Sequence, residues 1–118
     1  MKIGKNIVLD KAVTFALSII EFCELLEVNR KFVVANQLLK SGTSIGANLY
    51  EAQNAESRAD FIHKVKIAAK EVEETKYWLL ICEKSANYPF HEGLTLQIKE
   101  LSLIIYKILS TSKKPLRS

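Results

Sequence analysis

The sequence predicts an all-α fold, an antiparallel four-helix bundle that runs up-down-up-down. Three observations carry this. Apolar residues recur at steps of three and four through four successive segments. Both prolines, Pro89 and Pro115, fall outside those segments, and the period-two alternation of β-strands is absent. The clearest series, Phe61, Val65, Ala68, Val72, Thr75, Leu79 and Cys82, has the heptad spacing of a helix packed nearly parallel or antiparallel to its neighbours.

The first helix spans roughly residues 9 to 28, with Leu9, Val13, Ala16, Ile20, Cys23 and Leu26 on its core face and Asp10, Lys11, Thr14, Ser18 and Glu21 largely between them. In the second, Phe32, Ala35, Leu39, Gly42, Gly46, Leu49 and Ala52 keep phase straight through "SGTSIGANLY". A loop would break that phase, so the stretch reads as the middle of a helix of about 25 residues, ~37 Å long. Ser57 stands three residues before Asp60, a capping-box pattern that starts the third helix. The segment "KSANYPFHEG" is the longest connection, because Pro89 excludes helical geometry from the residue before it. The fourth helix follows with Leu94, Ile98, Leu101, Ile105 and Ile108.

A chain of 118 residues fits one domain with a core large enough to need no disulfide or metal. The expected organisation is a single bundle with a short extension at residues 1–7 and a basic, mobile tail at 110–118. Cys23 and Cys82 lie in apolar surroundings without CxxC spacing and read as buried thiols of a reducing cytoplasm. The amino terminus lacks the pattern of a signal peptide, and no apolar run reaches the roughly 18 residues of a membrane span. A soluble cytoplasmic protein is expected.

Seventeen basic and thirteen acidic residues give a net charge of +4, which permits nucleic-acid binding without the density of a dedicated basic arm. The distribution is more informative. Asp10 to Glu27 contains four acids and one lysine, whereas Arg58, Lys64, Lys66 and Lys70 are opposed locally only by Asp60. Lys113, Lys114 and Arg117 add charge at the carboxyl end.

Motifs that bear chemistry are sparse. "SGTSIGANLY" is not a phosphate loop: Gly42 and Gly46 are one residue too close, no Lys-Ser or Lys-Thr follows, and no strand precedes it. Glycines four apart on a helix thin one side and let another helix approach, which is the role expected of Gly42 and Gly46. Ser41, Thr43, Ser44 and Asn48 are expected to bond backbone carbonyls or bridge helices, with a small polar site as the alternative.

Asp60-x-x-His63 is the sole near match to a carboxylate-bridged metal pattern, and Cys23, His63, Cys82 and His91 lack the close pairing of zinc ligands. No metal or other cofactor is expected. "RADFIH" matches the Arg-x4-His pattern of the helical HEPN ribonucleases, in which such a pair acts on an RNA phosphodiester. Five residues at about 100° each turn Arg58 and His63 to different sides of a regular helix, so convergence needs dimerisation or an irregular helix start. Ile67 and Trp78 on one flank of the third helix, and Ile62, Ala69 and Leu80 on the other, spread its apolar surface beyond one seam. That spread makes Ile62, Ile67, Trp78 and Leu80 oligomer-interface candidates, against a broad stripe within one bundle.

"SGTSIGAN" followed by Glu51, then "DFIHKVKIAAKE" and "ETKYWL", together resemble the four-helix-bundle proteins encoded within intervening sequences of bacterial 23S ribosomal RNA genes. The resemblance covers about residues 8 to 110. It implies an antiparallel bundle, commonly a ring-shaped homopentamer in bacterial cytoplasm, without established catalytic residues or cofactor. Related bundles include a retroelement accessory protein whose basic pentamer binds nucleic acid and a reverse transcriptase. Ser41, Gly42, Ser44, Ile45, Asn48, Glu51, Asp60, Phe61, Lys70, Glu71, Tyr77 and Trp78 carry the resemblance and are mainly structural. "NLYEAQ" departs from the "NIAEG" of many relatives, so the end of the second helix is expected to differ.

The functional expectation is a non-enzymatic homo-oligomer that binds RNA, DNA or a nucleoprotein partner through Lys40, Lys64, Lys66, Lys70, Lys113 and Lys114. No small-molecule substrate is identified. The alternatives are a protein-interaction scaffold without nucleic-acid affinity and a ribonuclease using Arg58 and His63.

Overall fold

The structure, a computed structural model, describes residues 7–112. Lys113 and Lys114 lie outside the described residues. Four helices follow in order: α1 (Ile7–Val28), α2 (Phe32–Ala52), α3 (Arg58–Lys84) and α4 (Glu92–Ser112). Each packs on its neighbours in the chain, and α4 closes the square on α1. α4 runs through Ser112, so residues 110–112 of the expected tail continue the helix.

The pairing of residues across each seam fixes the antiparallel order. Gly46 faces Ala12 and Gly42 faces Ile19, while the Cys23 thiol donates to the Ala35 carbonyl at 3.4 Å. Between α2 and α3, Ser41 meets Thr75 and Glu51 meets Lys64. Between α3 and α4, Arg58 meets Ser112, Glu73 meets Tyr106 and Lys76 meets Ser102. As one residue number rises in each series, its partner's falls.

Caps define the helix ends. Ser57 Oγ accepts from the Asp60 backbone N–H at 3.0 Å, and Asp60 Oδ2 accepts from the Glu56 N–H at 3.2 Å, one residue earlier than in a reciprocal capping box. α1 ends in a Schellman arrangement: Lys31 N–H reaches the Leu26 carbonyl at 2.8 Å and Arg30 N–H the Glu27 carbonyl at 2.9 Å. Arg30 takes the left-handed position, φ 63°, that glycine usually fills.

All seven members of the predicted α3 seam are buried. In α4, Leu94, Ile98, Leu101 and Ile105 are buried as expected, with Leu109 inside and Ile108 half-buried. α1 corrects the expectation. Leu9, Cys23 and Leu26 are buried as expected, but Val8, Ala12, Phe15, Ile19 and Phe22 complete the core face, while Val13 and Ile20 are exposed and Ala16 is half-buried. In α2, Phe32 and Leu39 are exposed, and Val34, Leu38, Ser41 and Ile45 join Ala35, Gly42, Gly46, Leu49 and Ala52 inside. The large side chains Phe15 and Phe22 fill the core better than Val13 and Ala16 would, which decides which of α1's two apolar stripes turns inward.

Candidate functional site

The hydroxyls of the Gly-Ser-Thr stretch are turned to the helix backbone. Thr43 donates to the Leu39 carbonyl at 2.7 Å, Ser44 to the Lys40 carbonyl at 2.6 Å, and the Asn48 amide to the Ser44 carbonyl at 2.9 Å. Ser41 is buried, with Thr75 Oγ1 at 3.0 Å, and Thr75 also reaches the Glu71 carbonyl at 2.7 Å. These groups satisfy one another and the backbone, the outcome expected of small polar residues inside a helix.

Gly42 is a point of close approach, since an added Cβ would lie 2.9 Å from Ile19 Cγ2. At Gly46 the nearest atom, Ala12 Cβ, would stand at 3.4 Å, an ordinary contact. The packing reading of the two glycines therefore rests chiefly on Gly42.

The ribonuclease pair does not meet within one chain. α3 is regular from its first residue, Arg58, whose guanidinium donates from Nε to the Ser112 carbonyl at 2.9 Å and again from its terminal nitrogen. A cation on the last carbonyl of α4 is favoured by the helix dipole. His63 is exposed. No group of three metal-ligating side chains occurs among the described residues. A groove of about 350 Å³ between α1 and α4 is lined by Ser18, Glu21, Phe22, His91 and Gln97, and His91 makes an edge contact with the Phe22 ring, centroids 5.8 Å apart.

Of the basic candidates, Lys64 is tied to Glu51 at 3.0 Å, and that hydrogen bond raises the affinity of its ammonium for the proton. Lys40, Lys66 and Lys70 form no ion pair among the described residues and are exposed. His63, Lys66, Lys70 and Tyr77 recur at steps of three, four and seven, so they share the outward face of α3. On the α2 flank of that face, burial raises the Glu71 carboxyl above its usual range, the Glu74 charge adds to this, and Lys40 and Lys70 oppose it. Glu71 Oε2 is buried without a hydrogen-bond partner.

A second outer surface is formed by Val13, Ile20 and Leu39, which the spacing assigns to the core and the structure leaves exposed. On α1 the groove-lining Ser18, Phe22 and Leu25 face α4, as does Lys11, which is paired with Glu100. Val13 and Ile20 therefore lie on the opposite flank, toward α2, with Leu17 beside them. Leu39 and Tyr50 adjoin from α2, and Leu17 and Tyr50 are 62% and 50% exposed. The two facing segments, Ala12–Ile20 and Ser41–Tyr50, contain no charged residue.

The four interface candidates of α3 are placed differently. Ile62 and Trp78 are half-buried against the chain's own core, Ile67 is half-buried, and Leu80 is exposed. The Trp78 indole N–H donates to Glu74 at 3.1 Å, and its ring stands edge-on to Tyr77, centroids 5.0 Å apart.

Residues 4–110 match the sequence profile of the 23S rRNA-intervening sequence proteins. The chain belongs to that family. Its fold is also that of a crystal structure from Bacteroides thetaiotaomicron, a protein of unknown function from the S23 ribosomal protein family. The two share 40% identity with a TM-score of 0.83 over 87% of this chain and 98% of that one. A comparison with curated proteins found no match. The four-helix architecture is the one this chain shares with that crystal structure. No helix among the described residues is long and apolar enough to cross a membrane.

Proposed function

We propose that the protein is a non-enzymatic homo-oligomer that binds nucleic acid through the outward face of α3, with Lys40 on the adjoining helix. The observation that carries this is that Lys40, Lys66 and Lys70 are exposed and form no ion pair among the described residues, whereas Lys64, at the α2–α3 seam, is held by Glu51. Cations held in salt bridges gain little by meeting phosphate; unpaired ones release the condensed counterions of the polyanion. The family's link to 23S ribosomal RNA genes makes RNA the first ligand to test.

Lys66→Glu/Lys70→Glu removes two phosphate contacts and introduces two repulsive charges. Retention of ribosomal RNA at low salt should be lost in this variant and should fall steeply with salt in the unaltered protein. Equal retention by both proteins, or none by either, would overturn the reading.

Self-association is supported by the uncharged α1–α2 surface around Val13, Leu17, Ile20, Leu39 and Tyr50, which leaves large apolar groups in water unless another chain covers them. The homopentamer implied by the family resemblance would cover it. Light scattering should give a multiple of 13.4 kDa that collapses to the monomer in Leu17→Glu. A monomeric unaltered protein would refute this part.

A further inference from the structure

We infer that the nucleic acid taken by this face is single-stranded, and that Tyr77 is the platform on which one of its bases stacks. The inference rests on the nucleic-acid reading given above and adds the class of strand and the group that selects it.

Tyr77 is 54% exposed on the face that carries His63, Lys66 and Lys70. Its ring is braced: Trp78 stands edge-on to it, and Trp78 is itself fixed by its hydrogen bond to Glu74 and by packing on the core. An exposed aromatic held in place loses little freedom when a base settles on it, and aromatic stacking beside a basic track is how proteins hold single strands.

The charges along the helix alternate in a way that suits this use. Lys66 and Lys70 come first; Glu73 and Glu74 then stand between Lys70 and Tyr77. Glu73 is drawn to the α4 flank, where it accepts from Tyr106 at 3.1 Å and from Lys76 at 3.5 Å, and Glu74 accepts from the Trp78 indole. Both still repel phosphate. A strand following α3 can therefore rest its backbone on the lysines, but over Tyr77 it must present a base. A duplex keeps its base faces inside the stack, where an aromatic on a convex helix surface cannot reach them. The lysines alone would not distinguish the two forms, because their contact with phosphate carries no such information.

The test uses the full-length protein with a single-stranded oligonucleotide, as RNA and as DNA, and with the same sequence made duplex. Trp78 is the sole tryptophan and touches Tyr77, so its fluorescence reports arrival of a base there. The single strand should bind more tightly than the duplex and shift Trp78 emission. Tyr77→Ala should weaken single-strand binding about tenfold and leave duplex binding unchanged, and Tyr77→Phe, which keeps the ring, should retain it. Duplex binding as tight as single-strand binding, or Tyr77→Ala binding like the unaltered protein, would overturn this inference while leaving the basic-face reading intact. Absence of binding to either form at low salt would overturn both.

Discussion

Gly42 sits so close to α1 that a methyl group on its Cα would press on Ile19, 2.9 Å from Cγ2 and 3.0 Å from Cγ1. Those atoms branch directly from Cβ of a fully buried side chain and cannot swing aside. Gly42→Ala is therefore expected to lower stability by about 1 kcal/mol: overpacking costs roughly 1–3 kcal/mol, offset by about 1 kcal/mol of helix propensity. Gly46→Ala meets Ala12 at an ordinary distance and should instead be neutral or stabilising by up to about 1 kcal/mol. Denaturant midpoints of the two variants test this. With Ile19→Ala added, the Gly42→Ala penalty should shrink or vanish, as a double-mutant cycle would register.

Arg30 occupies the left-handed position of the cap between α1 and α2. A side chain there costs roughly 1–2 kcal/mol that glycine avoids, part of which glycine returns as greater freedom in the unfolded chain. Arg30→Gly should raise the thermal midpoint by a few degrees, for a gain of about 1 kcal/mol. A drop would show that the Arg30 side chain supplies more than the backbone strain removes.

Ser41 and Thr75 form a polar contact inside an otherwise apolar seam of α2 and α3. Thr75→Val removes a partner from Ser41 and a donor from the Glu71 carbonyl, and should cost about 1–2 kcal/mol. Ser41→Ala combined with Thr75→Val leaves less unpaired polarity and should cost less than the sum of the single changes. Strict additivity in urea unfolding would contradict the contact.

Burial pushes the Cys23 thiol up to about 12, with the neighbouring Cys82 and Glu27 adding to it, and pushes Cys82 up to about 11. In the unfolded chain both titrate near their ordinary value of 9.0. The unfolded state thus loses these protons first. Their contribution to stability is full below about pH 9 and is lost as pH rises toward the folded values. The alkaline limb of a stability-versus-pH curve should be shallower in Cys23→Ala/Cys82→Ala, whatever its absolute level. Native thiols should also react slowly with an aromatic disulfide at pH 8.

How far the sequence can be read depends on whether a helix carries one unbroken apolar series. α3 does, an uninterrupted heptad run from Phe61 to Cys82, and all seven of its predicted seam residues are inside. α1 is apolar on two stripes, and spacing alone cannot say which faces the core; the choice fell one residue off, to Val13 and Ile20 instead of Ala12 and Ile19. That near-miss exposed the α1–α2 surface, the clearest apolar candidate for a subunit contact. The Schellman end of α1 was invisible because Arg30 stands where glycine would have announced it. The lysines of α3 were found from local charge, but which of them are unpaired depends on Glu51 lying across the α2–α3 seam, a tertiary fact.

Arg58, the first residue of α3, binds the carbonyl of Ser112, the last residue of α4, while Lys11 and Glu100 join α1 to α4. The described chain thus begins and finishes at one end of the bundle, and every other seam joins helices consecutive in sequence. Topologically the molecule is a closed loop of four rods cut at an arbitrary corner. A circular permutant that joins the ends through a short flexible linker and opens in residues 85–91 keeps every seam. It should fold to the same bundle at the rapid rate expected when contacts are mostly local.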